Sequence, residues 1–344
     1  MSQPWSISAS PRGPVSLWMA IALGLTSCTA TSTVPQSETT TPEGELQVVT
    51  TILPMTQFTK AVAGDRAEVI QLLPPNVGPH DYQAKPADVQ AIADADVLVQ
   101  NGLELEVFLD DLIDNAGNAD LAIIDSSVGI DVIAFAEEDH GDDHASHDDH
   151  GHDHDEKGAS AEADHHHHGE FDPHVWLDPK RAIAQIENIR DGLIAVDPAG
   201  EAEYTANATA YIEQLKALDQ DITERLAPYA GQTFVSFHDF AFYFADSYGL
   251  KAEFLVDVPE ETPSPDDVQR ILETTEAGNL KALLTEPQVG EAAFAALAKD
   301  LKVSIAVFDP METGETAAMD PEDYFTIMGE NVESLEAAFG AAAE

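Results

Sequence analysis

Histidine is the residue type whose number and spacing first point to chemistry in this sequence. Ten of the 13 histidines lie between residues 137 and 170, in a segment made almost entirely of Asp, Glu, His, Gly, Ala and Ser. They are His140, His144, His147, His150, His152, His154, His165, His166, His167 and His168. Neutral imidazole is the commonest protein ligand for metals such as zinc, copper, nickel and iron. The segment has no apolar periodicity, so it is either a solvated low-complexity loop or, as we expect, a mobile insertion that collects or senses metal through several weak sites.

The other three histidines, His80, His174 and His238, each lie in an expected loop beside an element boundary. His80 follows the second expected strand, and His238 ends the first strand of the second half of the chain. Ligands of open α/β sheets bind at the carboxyl ends of strands. A hydrogen-bonded structural role is the commoner one for any single histidine, but the three together make a candidate metal site.

The elements that would position these histidines alternate between strands and helices. Strand-like runs fall at 46–52, 68–72, 96–99 and 121–124, and again at 233–236, 252–256, 282–284 and 303–307. Helical patterns fall near 54–63, 86–94, 105–115, 239–247, 265–277, 290–299 and 321–338, with Ser264 and Pro265 as a helix start. This alternation predicts an α/β fold of two lobes, each with a parallel sheet flanked by helices.

A long amphipathic stretch separates the two halves. Apolar residues recur at spacings of three and four from Tyr204 to Leu226, which predicts a rigid helix joining the lobes and bracing both. The expected organisation is an N-terminal lobe at 46–197 with the insertion 137–170, a linking helix at 198–228, and a C-terminal lobe at 229–344.

The first 45 residues have the pattern of an export signal and a tether. Arg12 precedes a short apolar run that ends in Leu25-Thr26-Ser27-Cys28. We expect a signal peptide at 1–28 whose cysteine becomes lipidated, although a plain signal peptide with an incidental cysteine has the same outline. Residues 29–45, rich in Thr, Ser, Pro and Glu, predict a flexible tether.

Composition narrows the class of partner. The chain has 15 Lys+Arg against 64 Asp+Glu, a formal net charge of −49. Such a surface repels nucleic acid and anionic lipid, and it attracts cations, although solubility in a salty medium would also account for it. The one cysteine, Cys28, excludes an internal disulfide.

Four segments of the chain resemble, in order, the ligand motifs of the metal-binding lipoproteins that serve zinc and manganese ABC importers (the cluster A-I binding proteins). They are Gly78-Pro79-His80-Asp81-Tyr82 with its continuation to Asp88, Asp172-Pro173-His174-Val175-Trp176-Leu177-Asp178-Pro179, His238-Asp239-Phe240 with Tyr248-Gly249-Leu250, and Phe308-Asp309-Pro310-Met311. The likeness runs from about residue 46 to the C-terminus. A His-rich insertion before the second motif is typical of the zinc branch.

The resemblance implies a metal site between the lobes, with His80 and His174 from the first lobe and His238 and Asp309 from the second. The fourth ligand is either Asp309 or a water molecule, and the resemblance leaves this choice open. Manganese members usually have a carboxylate where this chain has His238, so the resemblance implies Zn²⁺ as the transported ligand. Some zinc members have a glutamate before the first histidine, where this chain has Pro79. Asp81, Asp172 and Asp239 would either orient the imidazoles or cap helices.

The function implied is a monomeric binding protein, not an enzyme, at the cell surface or in the periplasm, anchored by a lipid on Cys28. It would deliver Zn²⁺ to a membrane permease with its ATPase. Import of manganese or iron, and a stand-alone zinc buffer or adhesin, are the alternatives. A metallohydrolase is a further rival, but the sequence has no His-Glu-x-x-His motif.

Overall fold

The structure, a computed structural model, describes residues 45–135, 169–256, 263–277, 280–290, 292, 294–314 and 316–341. The expected signal peptide 1–28 with Cys28, nearly all of the tether and the ten histidines of the insertion lie outside the described residues.

Two four-stranded parallel sheets organise the described chain. The first has the order β2-β1-β3-β4 and the second the order β6-β5-β7-β8, so both share one topology. The strands are β1 (Leu46–Thr50), β2 (Ala67–Gln71), β3 (Val97–Gln100), β4 (Ala122–Asp125), β5 (Thr233–Ser236), β6 (Lys251–Phe254), β7 (Leu280–Thr285) and β8 (Ser304–Val307). Apolar, largely β-branched residues such as Val48, Val69 and Val97 lie in register across the first sheet. The predicted fold class, two parallel-sheet lobes flanked by helices, is confirmed.

Nine α-helices cover the sheets within the described ranges. They are α1 (Leu53–Ala63), α2 (Pro86–Asp94), α3 (Leu109–Ala116), α4 (Pro179–Val196), α5 (Glu201–Leu226), α6 (Phe242–Ser247), α7 (Pro265–Ala277), α8 (Ala295–Leu301) and α9 (Asp323–Gly340). Ser264 begins α7 as predicted: its hydroxyl accepts a hydrogen bond from Asp267 N at 3.2 Å. No expectation covered α4, which follows the second motif directly. Within the described residues, no helix is long and apolar enough to cross a membrane.

The long helix α5 contacts both lobes. Its 26 residues span about 39 Å at 1.5 Å per residue. On the N-terminal side, Asn207 Nδ2 donates to Val62 O at 3.1 Å. On the C-terminal side, Tyr211 donates its hydroxyl hydrogen to Pro321 O at 2.9 Å, and Arg225 pairs with Glu336 at 2.5 Å. The predicted connecting helix is therefore present.

One apolar core runs through both lobes. It contains Val48 and Leu98 of the first sheet together with Phe234 and Leu284 of the second. A smaller cluster around Leu283 and Phe294 lies on the outer side of the second sheet. Because the larger core is shared, wide separation of the lobes would expose apolar surface, and small relative motion is favoured.

Candidate metal centre

The loop after β2 brings His80 to the cleft between the lobes. Pro79 starts a single helical turn, Pro79–Asp81, in which a fixed proline φ suits the first position. The imidazole of His80 is 16% exposed, and its Nε2 lies 3.1 Å from Glu312 Oε1. This half-buried position leaves His80 as the most accessible of the three imidazoles at the cleft.

His174 is fully buried, five residues before the start of α4. Asp172 Oδ1 accepts hydrogen bonds from the His174 backbone N at 2.9 Å and from ring Nδ1 at 2.7 Å. A carboxylate on Nδ1 fixes the ring and directs the Nε2 lone pair outward, as it does at many metal sites. Nε2 of His174 lies 2.9 Å from Glu312 Oε1. Asp178 then starts α4 by accepting from Lys180 N at 3.1 Å.

His238 follows β5 by two residues, at the carboxyl edge of the second sheet. Its Nδ1 contacts Glu286 Oε1 at 2.6 Å, and Glu286 is the first residue after β7, the strand beside β5. The strand order turns between β5 and β7, which is the point where open α/β sheets bind ligands. His238 Nε2 is buried and faces Glu312 Oε2 at 3.4 Å.

Glu312, rather than Asp309, brings a carboxylate to the three imidazoles. Among the described residues, the four side chains that offer ligand atoms within 4.8 Å of one another are His80, His174, His238 and Glu312. Asp309 instead shapes the turn: its Oδ1 accepts from Met311 N at 2.7 Å. Asn331 anchors the same segment, with Oδ1 accepting from Asp309 N at 2.7 Å and Nδ2 donating to Asp309 O at 2.8 Å.

The backbone at Met311 turns the next side chain into the cleft. Met311 is fully buried and has a φ of 61°, a left-handed conformation that is unfavourable for a side chain of this size. Such strain persists only where surrounding contacts fix it, and it clusters at functional sites. Here the contacts of Asp309 and Asn331 fix it, and Glu312 follows directly.

The distances at the centre are short enough for one ion to reach all four side chains, whose ligand atoms lie within 4.8 Å of one another. Glu312 Oε1 lies 3.1 Å from His80 Nε2 and 2.9 Å from His174 Nε2, and Glu312 Oε2 lies 3.4 Å from His238 Nε2. Three imidazoles and one carboxylate form a nitrogen-rich donor set, which fits Zn²⁺ better than oxygen-preferring Mn²⁺.

Without a metal, the same groups pair with one another. Burial lowers the pKa of His174, but its hydrogen bonds and attraction to Asp172 and Glu312 outweigh burial and raise the pKa to about 9. Burial also opposes the charge on His238, yet Glu286 and Glu312 raise the pKa of that imidazole well above its ordinary value. Burial works against the Glu312 carboxylate, but His238 and His80 bring its pKa well below the ordinary range. Protons therefore occupy the positions a cation would take.

Three of the four residues expected as ligands are brought together, and Asp309 is not among them. Glu312 was missed because it lies three residues beyond the acid that the fourth motif offered first. Its signal was a second acid directly after that motif, which only the turn at Met311 could have distinguished. Glu286 was also missed, although an acid two residues after an expected strand was a usable signal. Cys28 and the ten insertion histidines lie outside the described residues.

Comparison with known proteins places this centre in a family. The family of the zinc-uptake complex component A, periplasmic (ZnuA), matches residues 48–338. The chain belongs to this family. The ZnuA match includes all four residues of the centre and both sheets apart from the first two residues of β1.

Among curated relatives, the zinc-binding lipoprotein AdcA of Streptococcus pneumoniae is 33% identical over 92% of this chain and 60% of that protein. The chain thus spans about three fifths of that relative's length. The manganese-binding lipoprotein MntA of Halalkalibacterium halodurans is 28% identical over 92% of this chain and 95% of its own. The crystal structure of Zn(II)-bound AdcA from Streptococcus pneumoniae superposes with a TM-score of 0.68 at 29% identity, over 87% of this chain and 58% of that one. Membership in the ZnuA family agrees with the resemblance drawn from the four motifs.

Proposed function

We propose that this protein is the extracytoplasmic zinc-binding component of an ABC importer. It would hold Zn²⁺ between its lobes through His80, His174, His238 and Glu312. The observation that carries the proposal is the convergence of three imidazole nitrogens on one carboxylate at a buried cleft. The zinc-binding names of relatives such as AdcA support the same choice of metal.

Capture and release would depend on the two lobes sharing the ligands. His80 and His174 come from the first lobe, and His238 and Glu312 from the second, so a small shift between lobes would break the coordination. The shared core and α5 oppose wide opening. We therefore expect metal-free and zinc-bound crystals to differ by small lobe shifts and local loop changes. A hinge opening as wide as that of sugar-binding proteins would be incompatible with this release step.

The partner would be a membrane permease with its ATPase, which receives the metal. We propose that Cys28 carries a lipid, as the printed name of the pneumococcal relative suggests for that protein. The ten histidines of the insertion would gather zinc in weak sites and hand it to the centre. We expect no turnover with ester, peptide or phosphate substrates, since the role is binding and delivery.

A second candidate is manganese binding, which the relative MntA brings forward. The experiment that separates the two offers excess Zn²⁺ and Mn²⁺ together to the purified protein, followed by dialysis and elemental analysis. One tightly held zinc per chain, lost in His238→Ala, supports the proposal. One tightly held manganese would replace it with the second candidate.

A further inference from the structure

Five polar side chains form a buried cluster beneath the second ligand loop; we call it the Asn101 cluster. Its members are Thr51, Asn101, Glu106, Ser126 and Gln185, all fully buried except Glu106, which is 7% exposed. Thr51, Asn101 and Ser126 are the first residues after β1, β3 and β4. The cluster therefore occupies the carboxyl edge of the first sheet, the edge that faces a ligand in this class of fold.

Glu106 organises the cluster through three accepted hydrogen bonds. Its carboxylate accepts from Thr51 Oγ1 at 2.6 Å, from Asn101 N at 2.8 Å and from Gly102 N at 3.1 Å. Within the described chain, Glu106 forms no ion pair with a basic group. Burial raises the pKa of Glu106 to about 7, although these hydrogen bonds oppose the rise. Burial of a carboxylate without a cation costs folding free energy, and an apolar side chain could fill the same space without that cost.

The backbone between Asn101 and Glu106 has an unusual conformation, which brings the Glu106 carboxylate back to the N–H groups of Asn101 and Gly102. Gly102, Leu103 and Glu104 have successive φ values of 89°, 57° and 61°. A Cβ at Gly102 would lie 2.3 Å from Asp125 Oδ1, so only glycine fits there. Positive φ at two consecutive non-glycine residues is a strain that the surrounding contacts must maintain.

Asn101 connects the cluster to the loop that carries His174. Its Nδ2 donates to Pro173 O at 3.0 Å, while its Oδ1 accepts from Gln185 Nε2 at 3.0 Å. Pro173 O belongs to the peptide that precedes His174. That peptide is therefore fixed from two sides, by Asn101 at its carbonyl and by Asp172 at its N–H.

The second lobe has a matching device. Glu286 is the first residue after β7, and it holds the ring of His238. Asn101 occupies the same place after β3, which has the same position in the sheet order of the first lobe. Each lobe thus uses the residue after its third strand to hold a histidine loop, by a ring contact in one lobe and by a backbone contact in the other.

We propose that Asn101 and Glu106 are positioning residues of the metal centre, which set the orientation of His174 through the Pro173 peptide. The inference rests on the proposed function, because it concerns the same site. Glu106 fixes the backbone of Asn101, and Asn101 fixes the ligand loop. Removal of either group loosens a ligand without touching the metal.

The test compares Asn101→Asp and Glu106→Gln with a matched control. Asn101→Asp keeps the size of the side chain but replaces the NH2 group that donates to Pro173 O with an oxygen. Glu106→Gln keeps the shape of the side chain but can place an NH2 group where the oxygen that accepts from Gly102 N now lies, so that two donors face each other. The control is Thr50→Val, which removes a buried hydroxyl in the same lobe whose partners, Thr56 Oγ1 at 2.7 Å and Ile70 O at 3.4 Å, lie outside the Asn101 cluster. Each full-length variant is measured for Zn²⁺ affinity by chelator competition, for the visible absorption spectrum of bound Co²⁺, and for the metal-free melting temperature.

Asn101→Asp should bind Zn²⁺ about 10- to 100-fold more weakly, as is typical for groups that orient metal ligands. Its Co²⁺ bands should shift or lose intensity, and Glu106→Gln should change in the same direction by less. Thr50→Val should lower the melting temperature with wild-type affinity and spectrum.

If both cluster variants have wild-type affinity and a wild-type Co²⁺ spectrum, the cluster is only a scaffold and the inference is overturned. Should Asn101→Asp not fold, Glu106→Gln decides by the same two readouts. Failure of the proposed function gives a different result, because the wild-type protein would then hold no tight zinc, or would keep it in His238→Ala.

Discussion

Glu312→Gln is the substitution that tests the assigned carboxylate most sharply. The change preserves the size of a side chain that lies within 3.4 Å of all three imidazole Nε2 atoms. It removes the negative charge and leaves an amide oxygen as a weaker donor. We expect zinc to remain bound by the three histidines, with lower affinity and faster release.

The magnitude follows from the burial of the site. Removal of one partner of a buried charge pair costs about 3–5 kcal/mol, and each 1.4 kcal/mol is about tenfold in affinity. One effect offsets part of this loss: without Glu312 the imidazoles bind protons less tightly, so competition by protons decreases. We therefore expect the lower end of the range, about a 100-fold loss of zinc affinity at pH 7.

The assay is competition for Zn²⁺ against a chelator of known affinity, with Asp309→Asn as the matched control. Asp309 lies in the same segment, and an asparagine oxygen can still accept the hydrogen bond from Met311 N. The control should lose less than about tenfold in affinity. A large loss in Asp309→Asn with a small one in Glu312→Gln would restore Asp309 as the ligand and refute the assignment of Glu312.

Three further outcomes are expected. Zinc affinity should rise as pH increases towards about 9, because bound protons compete with the metal below the pKa of His174, which Asp172 and Glu312 raise to about 9 against the effect of burial. Calorimetry at pH 7 in buffers of different protonation enthalpy should report proton release on zinc binding, and zero release would contradict this. Tyr243→Phe should lower the free energy of unfolding by about 1–3 kcal/mol in denaturant titrations, because the hydroxyl accepts from a backbone N–H at 3.0 Å and donates to Asp172 O at 2.8 Å; an unchanged midpoint would mean that these bonds contribute nothing. Burial raises the pKa of Asp309 to about 6, so ionisation of this carboxyl destabilises the fold as pH rises from the ordinary pKa through 6. Metal-free Asp309→Asn should therefore melt at or above the wild-type temperature at pH 8 and lose any such advantage at pH 4. A variant that melts below the wild type at pH 8 but not at pH 4 would contradict this linkage.

Much of the fold could be predicted because its elements carry strong local signals. Buried parallel strands appear as short apolar runs, and the long helix repeats apolar residues over about six turns. The helix α4 was not predicted, although Ala182, Ile186, Ile189 and Leu193 recur at spacings of three and four after the motif with His174. Ser264 illustrates the opposite case, since a cap and a proline mark a helix start without tertiary information.

The centre could be predicted only where one residue type limited the choice. Three histidines outside the insertion left little ambiguity, whereas 64 acidic residues left a great deal. Choosing Glu312 over Asp309 depends on the positive φ of Met311 and on the bonds from Asn331, 22 residues away along the chain. Contacts of that kind are tertiary and leave no local pattern. The roles of Glu286 and the Asn101 cluster depend in the same way on strand order.

The most direct test of the central claim is a metal count on protein offered equal excesses of Zn²⁺ and Mn²⁺, for the wild type and for a variant without residues 137–170. A centre formed by His80, His174, His238 and Glu312 predicts one tightly held zinc in both proteins, and its loss in His238→Ala. Tight binding that disappears with the insertion, or a centre filled by manganese, would contradict the account.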